Sequence, residues 1–293
     1  MFTWTRIARN LNRSSTQWLD STMQAARWVR ERRAGIRWAI AGAMLGGFLG
    51  LVVFAPATWL AGVVSSATGQ RVQLANAQGT LWTGSAQTVL SAGPGSMDAR
   101  VLPDRLDWRI RLQGLGLKVD LRQACCLNDT VSLVVKPGLG RVQTTVLNNR
   151  DWIAQWPAAI LAGLGTPWNT LDLGGAVRLS AQDLSIDWVQ GRTRLRGRAE
   201  VQLLSVSSRL TTLEHLGSYA MAIRGNPDKA GAAEMSLSTL EGALQLSGQG
   251  TMGPQGVYFR GEARSDEDHQ AVLNNLLNII GRREGARSVI SIG

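Results

Sequence analysis

No charged residue occurs between Trp38 and Gln70. That run constrains the chain more than any other feature, because a helix in a globular core does not need so many consecutive residues without charge. Trp38 and Trp59 bracket its most apolar part, and the ~21 residue steps between them, at 1.5 Å each, give ~31 Å, close to the ~30 Å of a bilayer's hydrocarbon. The run therefore predicts a transmembrane helix with its exit over residues 38–64, with both tryptophans at the interfaces. Residues 1–37 carry Arg6, Arg9, Arg13, Arg27, Arg30, Arg32, Arg33 and Arg37 against only Asp20 and Glu31. Positive charge stays inside, so this basic tail is expected to be cytoplasmic. A cleaved signal peptide ending near Val64-Ser65-Ser66-Ala67 is the competing reading, and the apolar run exceeds the roughly 7–15 residues of its apolar region.

Gly42, Gly46 and Gly50 recur every four residues within the run. They fall on one helix face, where missing side chains permit close approach of another helix, including one from a second copy of the chain. Glycine is also common in membrane helices generally. In the tail, Trp4, Ile7, Leu11, Trp18, Leu19, Met23 and Ala26 recur at helical spacing among arginines, which predicts an amphipathic helix lying on anionic lipid. A disordered basic tail is the alternative. Nucleic acid is not an expected partner, because no DNA-reading motif accompanies the charge.

From Gln70 onward the pattern changes to short segments that alternate apolar and polar residues and end at glycines. Strands are expected at Asp104–Arg111, Leu115–Arg122, Val131–Lys136, Arg141–Leu147, Gly175–Ser180, Leu184–Val189, Arg192–Leu204, Ser218–Arg224, Ala232–Ser238, Glu241–Met252 and Gly256–Arg264. Such close spacing favours antiparallel meanders over strand–helix–strand units. Arg150–Leu164 and Glu267–Arg283 read as helices. Pro157 restricts the first to a helix start or a kink. Residues 65–293 are thus expected to form a mainly β domain with a few helices, in two lobes meeting near residues 150–170.

Shortly after the apolar run stands Gly79-Thr80-Leu81-Trp82-Thr83-Gly84-Ser85-Ala86. It resembles the GTLW.G.A signature of the general secretion pathway protein N family of type II secretion systems. Leu106-Asp107-Trp108, Trp156-Pro157, Leu216-Gly217-Ser218-Tyr219 and Leu244-Gln245-Leu246-Ser247-Gly248 follow in matching order, so the resemblance covers roughly residues 36–293. It implies a single-pass protein of the Gram-negative inner membrane, with a periplasmic β-domain that assists export of folded proteins and has no known catalysis. Other secretion components are the implied partners. The periplasmic region of that family is also similar to AsmA-like lipid-handling proteins with curved, groove-bearing sheets, which keeps open a lipid-binding or envelope-maintenance role. In the signature, Gly79 and Gly84 permit a tight turn or bulge while Leu81 and Trp82 bury apolar area beside it. A structural role is expected for Thr80 and its neighbours, with contact to a partner or lipid as the alternative.

Reactive groups are sparse. His215 and His269 are the two histidines. They lie far apart without metal-ligand spacing and read as solvated surface residues. No nucleophile elbow or phosphate loop occurs, so no enzyme, metal or cofactor is expected. Asp183 with Asp187, and Glu267 with Asp268, are expected to be solvated surface charges. Cys125 and Cys126 are adjacent, and in an oxidising compartment three states are open to them: a vicinal disulfide, a bridge to another chain, or free buried thiols.

Overall fold

Pro56 interrupts the apolar run. In the computed structural model, which describes residues 38–147, 151–189, 192–226, 231–253 and 256–293, residues 38–53 are helical (α1) and a second helix, α2, occupies Ala57–Ala67. Proline has no N–H to donate and its ring drives the preceding residue out of the helical region, so an unbroken helix would cost about 3 kcal/mol or more. Pro56 itself is extended, with φ −70° and ψ 149°. The single helix expected to run past Trp59 is therefore two helices, and Trp59 belongs to the second. Among the described residues no helix is long and apolar enough to cross a membrane; residues 38–53 measure ~24 Å against ~30 Å of hydrocarbon. The amphipathic helix expected in the tail lies outside the described residues.

The chain divides between Ala55 and Pro56 into two compact units, earlier than the boundary expected at residue 65. In the first unit, α1 exposes Met44, Leu45 and Phe48. Nothing lies within 4 Å of a methyl group built on Gly42, Gly46 or Gly50.

The second unit is dominated by an antiparallel meander. Its first half comprises β1 (Val72–Gly79), β2 (Thr83–Ser91), β3 (Ala99–Gln113), β4 (Gly116–Arg122), β5 (Val131–Gly138), β6 (Arg141–Val146) and the short β7 (Ala154–Pro157). Its second half comprises β8 (Leu173–Val189), β9 (Arg192–Ser208), β10 (Gly217–Gly225), β11 (Ala233–Glu241), β12 (Leu244–Gly253), β13 (Gly256–Ser265), β14 (Arg282–Glu284) and β15 (Arg287–Ile292). Among the described residues these form one open 15-stranded sheet that follows chain order from β1 to β13 and ends β15–β14, with β7 pairing β8 off the main path. β6 pairs directly with β8, so the sheet is continuous past residues 150–170. Its edge strands are irregular or short: β1 shifts register between Ala75 and Gln78, and β14 has three residues.

Register keeps the two faces distinct. Leu179, Val201, Met221, Leu237, Gly248 and Gly261 stand opposite one another from β8 to β13, while the next row reads Arg178, Gln202, Ala220, Ser238, Ser247 and Glu262. Successive residues point to opposite faces, so one face is apolar and the other largely polar. Where the apolar row turns to glycine, Phe259 fills the space: a Cβ on Gly248 would lie 2.4 Å from its ring.

Helix α4 (Gln270–Ile280) covers part of the apolar face with Leu273, Leu276 and Leu277, all at most 1% exposed, packed with Val206, Leu216, Tyr219, Leu244 and Ala263. The Ser288 hydroxyl on β15 donates to the Leu277 carbonyl at 2.6 Å and ties the helix end to the sheet. The helix expected to reach Arg283 stops at Ile280, and Arg282 begins β14. Arg150–Leu164 also differs from expectation. Ala154–Pro157 is a strand, and Ala158–Leu164 is a 3-10 helix followed by a single-turn α3 (Trp168–Leu171). Pro157 cannot donate within a helix, and Trp156, held extended before it, pairs with Val177 instead.

Truncating Leu276 to alanine removes a side chain buried at the centre of the α4 contact. It should destabilise the second unit by about 2–5 kcal/mol, read as a lower urea midpoint at unchanged slope.

Candidate functional site

The signature residues form the turn between β1 and β2. Gly79 adopts φ +89°, and a Cβ there would lie 2.6 Å from the Thr83 carbonyl. One on Gly84 would lie 2.5 Å from the Gln78 carbonyl and 2.6 Å from the ring of Trp108. Glycine at both positions thus lets the turn close on the indole. Thr80 and Thr83 exchange backbone and hydroxyl hydrogen bonds across the turn. The Ile110 amide donates to the Trp82 carbonyl at 2.7 Å. Trp108, 3% exposed, packs with Ala57 and Ala86, and its Nε1–H donates to the Leu81 carbonyl at 3.1 Å. Pro56 pairs with Thr80, so the same turn receives the chain as it enters the second unit. Leu81 and Trp82 are half-buried. The Leu106-Asp107-Trp108 segment and the signature, far apart in sequence, form one clamp.

Ion pairs organise the polar face. Asp187 is 2% exposed and accepts from Arg141 at 3.1 Å and from Arg196. Burial alone would push its carboxyl up, but the hydrogen bonds and charges of Arg196 and Arg141 outweigh that and hold it below the usual carboxylate value. Its Oδ1 makes no hydrogen bond. The expectation of a solvated pair fails here: Asp183 is exposed, whereas Asp187 lies beneath arginines from β6 and β9 that are remote in sequence. Asp120, half-buried, opposes desolvation with a bond from Ser132 at 2.7 Å and an ion pair with Lys118 at 3.3 Å, and its carboxyl is also lowered.

The apolar face holds a cavity of about 290 Å³ lined by residues of β2 to β8. Leu121, Leu133, Val146, Trp156, Leu179 and Leu184 supply much of its wall. Gln123, a buried polar residue of the lining, is saturated: its amide donates to the Pro103 carbonyl at 2.7 Å and accepts from Trp156 Nε1 at 3.2 Å. The volume is at the low end of ligand pockets, suited to a short apolar segment rather than a large ligand.

Beside Gln123, Cys125 and Cys126 are joined in a vicinal disulfide, with Cys125 exposed and Cys126 buried. His215 is exposed, and His269 donates from Nδ1 to the Asp266 carboxylate at 2.7 Å. Glu267 and Asp268, next to it, are exposed. Among the described residues no group of three or more potential ligands is placed to hold a metal ion. Arg196 and Arg141 had no signal of their own in the sequence, although polar alternation across Arg192–Leu204 marked the strand that carries Arg196.

The family model described as Type II secretion system (T2SS), protein N, matches residues 70–291, which is well over half of the chain. No curated protein and no solved structure matches it.

Replacing Trp108 with phenylalanine should destabilise the second unit by about 2 kcal/mol or more, because the Leu81 carbonyl loses its donor in a packed site; equal urea midpoints for variant and parent would refute the clamp. Because the Asp187 pKa is depressed on folding, its stabilisation is present above the unfolded value near 4 and is lost as pH falls through the lower folded value. Asp187→Asn should therefore lower the urea midpoint at neutral pH and flatten its fall below about pH 4 relative to the parent.

Proposed function

We propose, on the premise that this chain belongs to the type II secretion system protein N family, that it is an accessory, scaffolding component of that system which performs no reaction of its own. It supports export of folded periplasmic proteins across the outer membrane through protein contacts. The uncharged run that begins at Trp38, residues 38–64, anchors it once in the inner membrane. The arginine-rich N-terminus faces the cytoplasm and the β-sheet unit lies in the periplasm. The observation that carries this reading is the family match over residues 70–291, nearly the whole of the second unit. A polar sheet face extending from β3 to β15 offers a broad contact surface, and the open space beside Gly42, Gly46 and Gly50 admits a partner helix from another component or a second copy.

A second reading, lipid binding of the AsmA-like kind, is favoured by the apolar cavity beneath Trp156. It predicts lipid copurifying with the full chain, detected by mass spectrometry, and lost when Ala181, 3% exposed on the cavity wall, is enlarged to phenylalanine.

Deleting the gene should cause exported enzymes to accumulate in the periplasm. In-cell crosslinking from the sheet unit should recover secretion-channel or inner-membrane platform proteins. Unchanged export together with crosslinks to no secretion component would reject the scaffold reading.

A further inference from the structure

The two ends of the sheet differ in chemistry. Because the strands alternate in direction, the β1–β2, β3–β4, β5–β6 and β8–β9 connections all fall at one end. There Leu115 and Leu139 stand on glycine-flanked tips at 98% and 106% exposure, Leu112 is 79% exposed, and Trp188, near the end of β8, is 52% exposed. Singly exposed apolar residues are ordinary, but four large ones at one end of one sheet are not. Cations stand directly behind them. Arg111 and Lys118 face each other across β3 and β4; Lys118 is paired with Asp120 at 3.3 Å, and Arg111 beside it is exposed. Lys136, exposed, lies three residues from Leu139.

The connections at the opposite end are mainly acidic, with Asp129, Asp151, Glu214, Asp266, Glu267 and Asp268 against Arg71 and Arg209 among their described residues. Helix α4 also lies toward that end, while the apolar face toward the leucine tips leaves Ile186 and Trp188 exposed. Finally, Pro56 pairs with Thr80 in the β1–β2 turn, so the chain enters the second unit at the leucine-tipped end.

We propose that this end of the sheet is a docking surface for an anionic bilayer: Leu112, Leu115, Leu139 and Trp188 enter the headgroup region, and the exposed Arg111 and Lys136 meet lipid phosphates. Charge and position select lipid over a protein groove. Apolar tips backed by cations match an interface that is apolar beneath and anionic above, and the chain enters the sheet unit from the uncharged run at the same end. The proposal rests on the anchored reading only for the direction from which the bilayer is met.

The test uses the full chain in lipid nanodiscs, with one cysteine at a time introduced by Leu115→Cys, Leu139→Cys or Met97→Cys and labelled with an environment-sensitive fluorophore. Met97, 100% exposed in the β2–β3 connection, reports the other end. With phosphatidylglycerol present, lipid-borne quenchers should quench the labels at positions 115 and 139 several-fold more than the label at 97. High salt, or Arg111→Glu with Lys136→Glu, should reduce that difference at an unchanged urea midpoint. Labels at 115 and 139 quenched no more than the one at 97 overturn the proposal, including the case in which they become shielded only on adding a secretion protein. A chain that stays on every disc with unquenched tips keeps its anchor and loses the docking surface. One that stays only on anionic discs with quenched tips does the reverse, and one that leaves all discs loses both.

Discussion

Strand register is the constraint on which the second unit depends. Pairing runs without interruption from β1 to β13, and a slip of one residue anywhere along it would move every later side chain to the other face. The apolar residues that meet α4, between β9 and β13, and the arginines that cover Asp187, on β6 and β9, belong to one continuous ladder, so both depend on the same pairing. Bulges occur where they can be absorbed: β8 and β9 shift between Gln182 and Ser185 opposite Gly197, whose φ of +83° accommodates the extra residue.

Much of this was legible in sequence because a half-buried antiparallel strand alternates. Each expected strand from Asp104 to Arg264 overlaps an observed one, although Glu241–Met252 starts at the last residue of β11, ahead of the turn into β12, and the two expected at Gly175–Ser180 and Leu184–Val189 are the single strand β8. Asp183, between the two, sits at positive φ in the bulge, where the alternation of faces is interrupted. β1, β2, β14 and β15 were not foreseen. β1 and β2 are rich in alanine, glutamine and serine, which weakens the contrast between faces, and β14 is too short to show a period. Around residue 157 the apolar spacing read as helical, but the fixed φ of proline and the partner strand β8 overrode it. The break at Pro56 has the same origin in proline geometry.

The candidate sites were legible in proportion to how local they are. The signature's glycines, read as a tight turn, occupy one; its partner Trp108 belongs to a separate short motif, and nothing in either segment announced that an indole N–H would bridge them. Asp187 illustrates the limit more sharply. A carboxylate in an alternating strand reads as a surface charge, and only the assembled sheet brings Arg141 and Arg196 over it. The long side chains remove it from water while supplying the hydrogen bonds that keep it ionised.

An open sheet of this length carries a hazard in its margins, since unpaired N–H and C=O groups along a long, flat edge recruit further strands. Here the irregular register of β1 and the three-residue β14 leave no long regular template at either margin. The sheet therefore terminates itself. Copies of the protein can crowd together at an assembly site without templating one another into a fibre.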